Sequence, residues 1–450
     1  MQPQLERKLT LLPVTSIVIA NMIGAGIFTT SGLLMADLQN PMVMLLLWLV
    51  GGVVALCGAL CYGELGAAFP KAGGEYVFLS RLYHPLLGFL SGWVSLFAGF
   101  SAAIAASAIG FSEYLFRAVP FFRELGVSQA STNWIERLVA VAVILLFTGI
   151  HLRGITFGAR IQNFLTAVKL VLLIGLVLGG FILGEGDWSH LTRGKPFSFE
   201  LRHLTTAGLA LMWIMYAYSG WNAATYIGSE VREPRRNLPL SLLLGTGIVM
   251  LLYFFINLFY IYAVEPAGME GVISVGGLAV ERAFGRTTDT IVSLMIAFAL
   301  FSSLSAFIIL GPRVYYAMGG DNVFFHGLSR IDPVCHVPAK AIVLQGTIAA
   351  IITLTGSFDQ ILTYMGFALG IFPFLAVLGI FKLRKTNQAV LKLPGYPITA
   401  IFYLVAILAI LSLSFMERPV ESSLAILMVF AGVPAYFYFR HHNRRVLKET

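Results

Sequence analysis

Apolar positions in this chain come in long runs, not in the alternation of a half-buried strand or the 3.6-residue stripe of a water-facing helix. Runs long enough to cross about 30 Å of hydrocarbon fall at 13–38, 42–68, 85–118, 134–151, 158–183 and 203–229, and again at 239–264, 286–316, 339–356, 359–382, 396–415 and 421–440. The pattern predicts an all-α polytopic membrane protein with twelve transmembrane helices. The first ten spans divide into two fives, at 13–183 and 203–382. In each five the third span is unusually long, and the connection before it holds a glycine pair, Gly73-Gly74 or Gly276-Gly277, and is predicted to fold back. Because five is odd, the second unit enters from the opposite face, as in an inverted repeat. Residues 396–440 add two accessory helices with packing or an oligomer interface as their expected role, and 1–12 and 441–450 form the polar ends.

Composition agrees: 58% hydrophobic residues, 12% charged and a mean hydropathy of +0.84 exclude an ordinary soluble protein. The net charge of +8 does not indicate nucleic-acid binding, because the basic residues are scattered among short loops and the chain end. With the N-terminus inside, 20 Lys and Arg fall on its side, 9 on the other, and Lys169 stays within a span. The positive-inside rule then places both termini in the cytoplasm of a plasma (inner) membrane protein, lying in the lipid bilayer. The first span has no cleavage site before or after it and reads as retained. Cys57, Cys61 and Cys335 form neither a zinc spacing nor a disulfide framework. No metal and no cofactor is expected. No convergent His, Asp or Glu falls at depth, so no catalytic residue is assigned and an enzyme is not expected.

Two spans are interrupted. Gly24-Ala25-Gly26 lies in the middle of the first, and broken backbone is tolerated at membrane depth only where it is buried in protein or lines a cavity. Such a break exposes carbonyls at the end of one half-helix and amides at the start of the next. A zwitterionic α-amino acid needs both: its carboxylate accepts from the amides of Ala25, Gly26 and Ile27, and its ammonium donates to the carbonyls of Met22 or Ile23. The alternative is that Gly24 and Gly26 only permit close packing. The sixth span offers a second break at Ser219-Gly220, with the carbonyls of Tyr216 and Ser219 for the ammonium. Tyr216, a candidate lid, and Trp221 are placed to close over a ligand or to pack in the core. Asn222 bonds either the substrate or a neighbouring helix.

Lys169 lies roughly 15–20 Å from either end of its span, at 1.5 Å per residue, too deep to snorkel. An intramembrane ammonium is a functional candidate, expected to bond carbonyls of the broken first helix and Ser302 or Ser303, in place of a coupling cation or as a proton shuttle; a fixed cross-brace is the alternative. Glu64, Glu113, Glu230 and Asp289 all sit near predicted span ends. A cationic substrate side chain thus finds no buried counter-ion, which favours neutral substrates.

Ile23-Gly24-Ala25-Gly26-Ile27-Phe28, Cys61 to Leu65 with Pro70-Lys71-Ala72-Gly73-Gly74-Glu75-Tyr76, Tyr216 to Asn222 with Asn237-Leu238-Pro239, and Gly311 to Met318 resemble the amino acid–polyamine–organocation (APC) superfamily, and within it the L-type amino acid transporters. The resemblance implies the leucine-transporter (LeuT) fold, a 5+5 inverted repeat plus two helices, and sodium-independent transport or exchange of small-molecule amino acids by alternating access. It implies that the substrate carboxylate meets the amides of Ala25 and Gly26, and the ammonium the carbonyls of Met22, Tyr216 and Ser219. It also implies that Lys169 stands where relatives hold sodium. Ala25 departs from the family's frequent serine. The loop at 117–137 lacks the cysteine that bonds a heavy-chain subunit in animal members, so no such partner is expected, as in bacterial relatives. Proton- or sodium-coupled symport, and cationic amino acid or polyamine antiport, are the alternatives.

Overall fold

The computed structural model describes residues 5–119, 129–198, 200–272, 274–285, 289–355 and 358–449. The first span is two helices, α1 (Leu11–Met22) and α2 (Gly26–Leu38), and α3 follows over Pro41–Ala68. Asn40 starts α3: its side chain accepts from Val43 N at 3.0 Å, and Pro41 occupies the first turn, where its missing N–H costs nothing. The connection after α3 does fold back, as the short helix α4 (Glu75–Leu82), and Pro85 opens the long α5 (Pro85–Ala118). A π-helical stretch at Ser95–Ser101 interrupts α5. Apart from a single turn at Pro266–Met269, the remaining α-helices are α6 (Gln129–Leu152), α7 (Ile155–Leu183), α8 (Leu201–Ala217), α9 (Pro234–Ala263), α10 (Val275–Phe284), α11 (Asp289–Gly320), α12 (Ala339–Thr355), α13 (Phe358–Lys385), α14 (Ile398–Glu417) and α15 (Pro419–Glu449). The short α10 precedes the long α11 as α4 precedes α5, at the second expected fold-back.

Among the described residues nine helices are long and apolar enough to span a membrane. The shortfall from twelve has a physical reason at the sixth span. There α8 stops at Ala217, and the chain continues as a turn and two 3₁₀ segments, Ala223–Tyr226 and Gly228–Glu230. The α12 helix has 17 residues. For the span expected at 359–382, side chains before 370 lie outside the described residues, as does part of the 117–137 loop.

The buried core runs between α1, α3, α9 and α8, where Trp48, Tyr218 and Tyr253 meet with ring centroids 5.1–5.8 Å apart. A second apolar cluster joins α5, α6, α7, α11 and α12 through Ile104, Ile144, Phe147, Leu165, Leu304 and Ile342. Several basic residues read as topology charges are paired. Arg313 is 1% exposed and holds Glu230, itself fully buried, through Nε at 2.9 Å and Nη2 at 3.0 Å. Arg384 holds Glu64 at 2.6–2.7 Å. The chain start is fastened to the same face: Lys8 N and Leu9 N both donate to Glu230 O at 2.9 Å, and Arg232 N donates to Leu9 O at 2.8 Å.

Candidate functional site

The two breaks lie against each other. A side chain on Gly26 would put its Cβ 2.7 Å from Ala217 Cα, and one on Gly220 (φ +101°) would put it 2.2 Å from Asn21 Nδ2. Glycine is required at both crossings for close approach, and at Gly220 for the left-handed backbone as well. Gly24 differs: nothing stands within 4 Å of where its Cβ would be. Gly26 therefore serves packing, and Gly24 opens onto space.

That space is a cavity lined by Asn21, Met22, Gly24, Ala25 and Gly26 from the first break and by Tyr216, Ser219, Gly220, Trp221 and Asn222 from the second. Phe100 of α5, Phe307 of α11, Phe372 of α13 and Tyr403 of α14 complete its aromatic wall. The α14 helix, expected to pack or to form an oligomer interface, thus contributes to the site. Across the first break, Gly24 N bonds Met22 O at 2.9 Å and Phe28 N bonds Ala25 O at 3.0 Å. The amides of Ala25, Gly26 and Ile27 have no acceptor among the described residues. They begin α2, whose dipole is positive at that end. Asn21 is buried, and its Oδ1 has no partner among the described residues.

The carbonyls expected to be free are not all free. Tyr253 Oη, from α9, lies 2.7 Å from Met22 O and 3.1 Å from Ala217 O, so one hydroxyl ties the ends of both half-helices. Met22 O also accepts from Gly24 N. Ile23 O is taken by Lys169 Nζ at 2.8 Å and by Ser303 Oγ at 2.5 Å, and Ile23 does not line the cavity. Tyr216 O accepts from Ser219 N at 2.9 Å. Two lone pairs per carbonyl leave Met22 and Ile23 no capacity for an ammonium. Ser219 O has no donor among the described residues.

Lys169 is 1% exposed and donates to Ile23 O, to Ser303 Oγ at 2.9 Å and more weakly to Ala20 O at 3.4 Å. It sits behind the break, not on the cavity wall. Ser302 does not reach it; its Oγ accepts from Gln162 Nε2 at 3.3 Å. Asn222 Nδ2 bonds Glu75 Oε1 at 2.5 Å and Tyr226 Oη at 3.2 Å, so its partners are protein groups. Trp221 is 4% exposed and packs edge-on against Tyr62, 4.7 Å between centroids.

A cavity between two crossed helix breaks matches a transporter better than an enzyme, and sequence comparison agrees. The sequence matches the amino acid permease family over residues 9–436, nearly the whole chain.

The chain belongs to the amino acid permease family, within the APC superfamily.

The permease is similar to the b(0,+)-type amino acid transporter 1 of Homo sapiens, 29% identical over 98% of this chain and 89% of the relative. It is 29% identical to the Cystine/glutamate transporter of Homo sapiens, over 97% of this chain and 86% of that protein. The Asc-type amino acid transporter 1 of Mus musculus is 26% identical over 96% and 81%. The permease is thus an integral membrane transporter and not an enzyme.

Three contributors to its site escape a reading of the sequence. Tyr253 lies in a featureless apolar span, and Tyr403 in an accessory helix. Glu75 stands directly after Gly73-Gly74, a signal that was present, but its apparent place in a loop concealed its burial.

Proposed function

We propose that this permease carries neutral L-amino acids by alternating access, as a sodium-independent exchanger or uniporter. The observation that supports this most is that Ala25 and Gly26, whose amides have no acceptor among the described residues, line one cavity with Ser219 and Asn21, whose carbonyl and side-chain Oδ1 have no donor among the described residues. Those groups match the two ends of a zwitterion: carboxylate on the amides, ammonium on the carbonyl and the Asn21 oxygen. The ammonium thus uses Ser219 and Asn21, not Met22 or Ile23. The apolar and aromatic wall receives the side chain, with Tyr216 as lid. Lys169, fixed on Ile23 O and Ser303, stands as the permanent replacement for a coupling cation, and the two five-helix units, 13–183 and 203–382, rock about the breaks. Both termini are cytoplasmic, and no heavy-chain subunit is needed.

The test is exchange in proteoliposomes. Internal leucine is expected to stimulate uptake of radiolabelled leucine without sodium; no stimulation by any common amino acid would reject the reading. A second reading has one observation in its favour, the buried carboxyl of Glu75 on the cavity wall, which would suit a cationic side chain. Competition by arginine or lysine stronger than by leucine would favour it.

A further inference from the structure

Glu75 opens α4 and is 5% exposed. Its Oε1 accepts from Tyr62 Oη at 2.8 Å and from Asn222 Nδ2 at 2.5 Å. The titratable and polar groups that face it are Tyr62 from α3, Asn222 and Tyr226 from the segment after α8, and Tyr403 from α14. All are neutral. The cations on the neighbouring helices are engaged elsewhere: Arg313 on Glu230, Arg384 on Glu64, and Lys382 on Leu82 O. Among the described residues none pairs with Glu75. A bare carboxylate so placed is costly, whereas a protonated carboxyl keeps both bonds to Oε1 and loses no charge solvation. Burial pushes the Glu75 carboxyl above the usual range, against the opposing effect of its hydrogen-bond donors Tyr62, Asn222 and Tyr226.

Its position gives the proton a role. Just before Glu75, Ala72 N bonds Ser229 Oγ at 2.9 Å and Gly73 N bonds Tyr226 O at 3.0 Å. These bonds, with Glu75–Asn222, close the cavity floor toward the face that carries Leu9 and Arg232. For that face to open, these bonds must break and residues 72–75 must part from 222–229, which would admit water to the carboxyl.

We propose that Glu75 is a proton-binding site of the transport cycle: it holds a proton while the floor is shut and releases it when the floor opens. On opening, the carboxyl O–H bond breaks, the proton passes to a water on that face, and the electron pair stays on the carboxylate. Closure takes the proton back from the same face before the carboxyl is buried again. Reorientation therefore slows as the pH there rises.

The inference rests on the transport reading, so the experiment measures both. Leucine exchange is followed in proteoliposomes with equal internal and external pH, from about pH 5.5 to about pH 9, the span in which buried carboxyls titrate. The wild type is expected to slow with rising pH, by about tenfold per unit above its midpoint. Glu75→Gln, always neutral, is expected to exchange at a pH-independent rate. A wild type whose rate is flat with pH, or a Glu75→Gln variant that retains the wild-type profile, overturns the proposal while leaving transport intact. A wild type that exchanges no amino acid instead fails the transport reading. If Glu75→Gln does not fold, Tyr62→Phe decides: loss of a donor to the carboxylate is expected to move the midpoint up by about one unit, and an unmoved midpoint overturns the proposal.

Discussion

Two buried carboxyls in this permease, Glu230 and Glu75, meet different company. Glu230 is gripped bidentately by Arg313, and the ionised pair carries no net charge. Glu75 sits among phenols and an amide and is neutral only with a proton. Glu230 also carries the chain start on its backbone carbonyl, whereas Glu75 lines the cavity. A carboxyl paired with a cation is thus found where the fold is fastened, and one with no cation beside it among the described residues is found on the cavity wall.

Breaking the fixed pair tests that contrast most strongly. Arg313→Ala leaves Glu230 buried and unpaired and is expected to cost about 3–5 kcal/mol, seen as a lower unfolding midpoint of the purified protein in detergent. Replacing both partners by apolar residues of similar volume is expected to restore most of the loss; an Arg313→Ala protein as stable as wild type would remove the distinction. Next in size is Lys169→Ala, which strips donors from Ile23 O and Ser303. Exchange is expected to fall by roughly tenfold or more, since about 1.4 kcal/mol is a factor of ten, and uptake at the wild-type rate would show that Lys169 is only a brace. Tyr253→Phe removes the hydroxyl shared by Met22 O and Ala217 O, and about 1 kcal/mol of stability with it, read from the same unfolding midpoint. Smallest is the stability effect of Glu75→Gln, within about 1 kcal/mol, because the amide keeps an acceptor oxygen for Tyr62 and Asn222. A loss as large as that of Arg313→Ala would mean that Glu75 is a structural anchor like Glu230.

Much of this architecture was readable from the order of residues. Hydrophobic length located nine of the twelve expected spans among the described residues, because lipid demands continuous apolar helices and tolerates breaks only at sites. The glycines at 24, 26 and 220 marked both breaks, and depth singled out Lys169. Partner choice was not readable. Whether Met22 O is free depends on Tyr253, 231 residues away, and whether Ser302 or Ser303 meets Lys169 depends on the rotation of α11. Counting charges by loop gave Arg313 a side of the membrane but not its partner, the buried Glu230. Sequence position gives depth along a span, but helix rotation and long-range pairing decide which atoms meet.

The π-helical stretch at Ser95–Ser101 has a consequence for the long third span. Its i→i+5 bonding takes in one residue more per turn than an α-helix, and one residue is about 100° of α-helical rotation. Positions before Ser95 and after Ser101 are therefore out of phase. Drawn as one uninterrupted helical wheel, residues 85–118 would send Ala103 and Ser107 away from the face shared with Ser91, yet all three line the cavity.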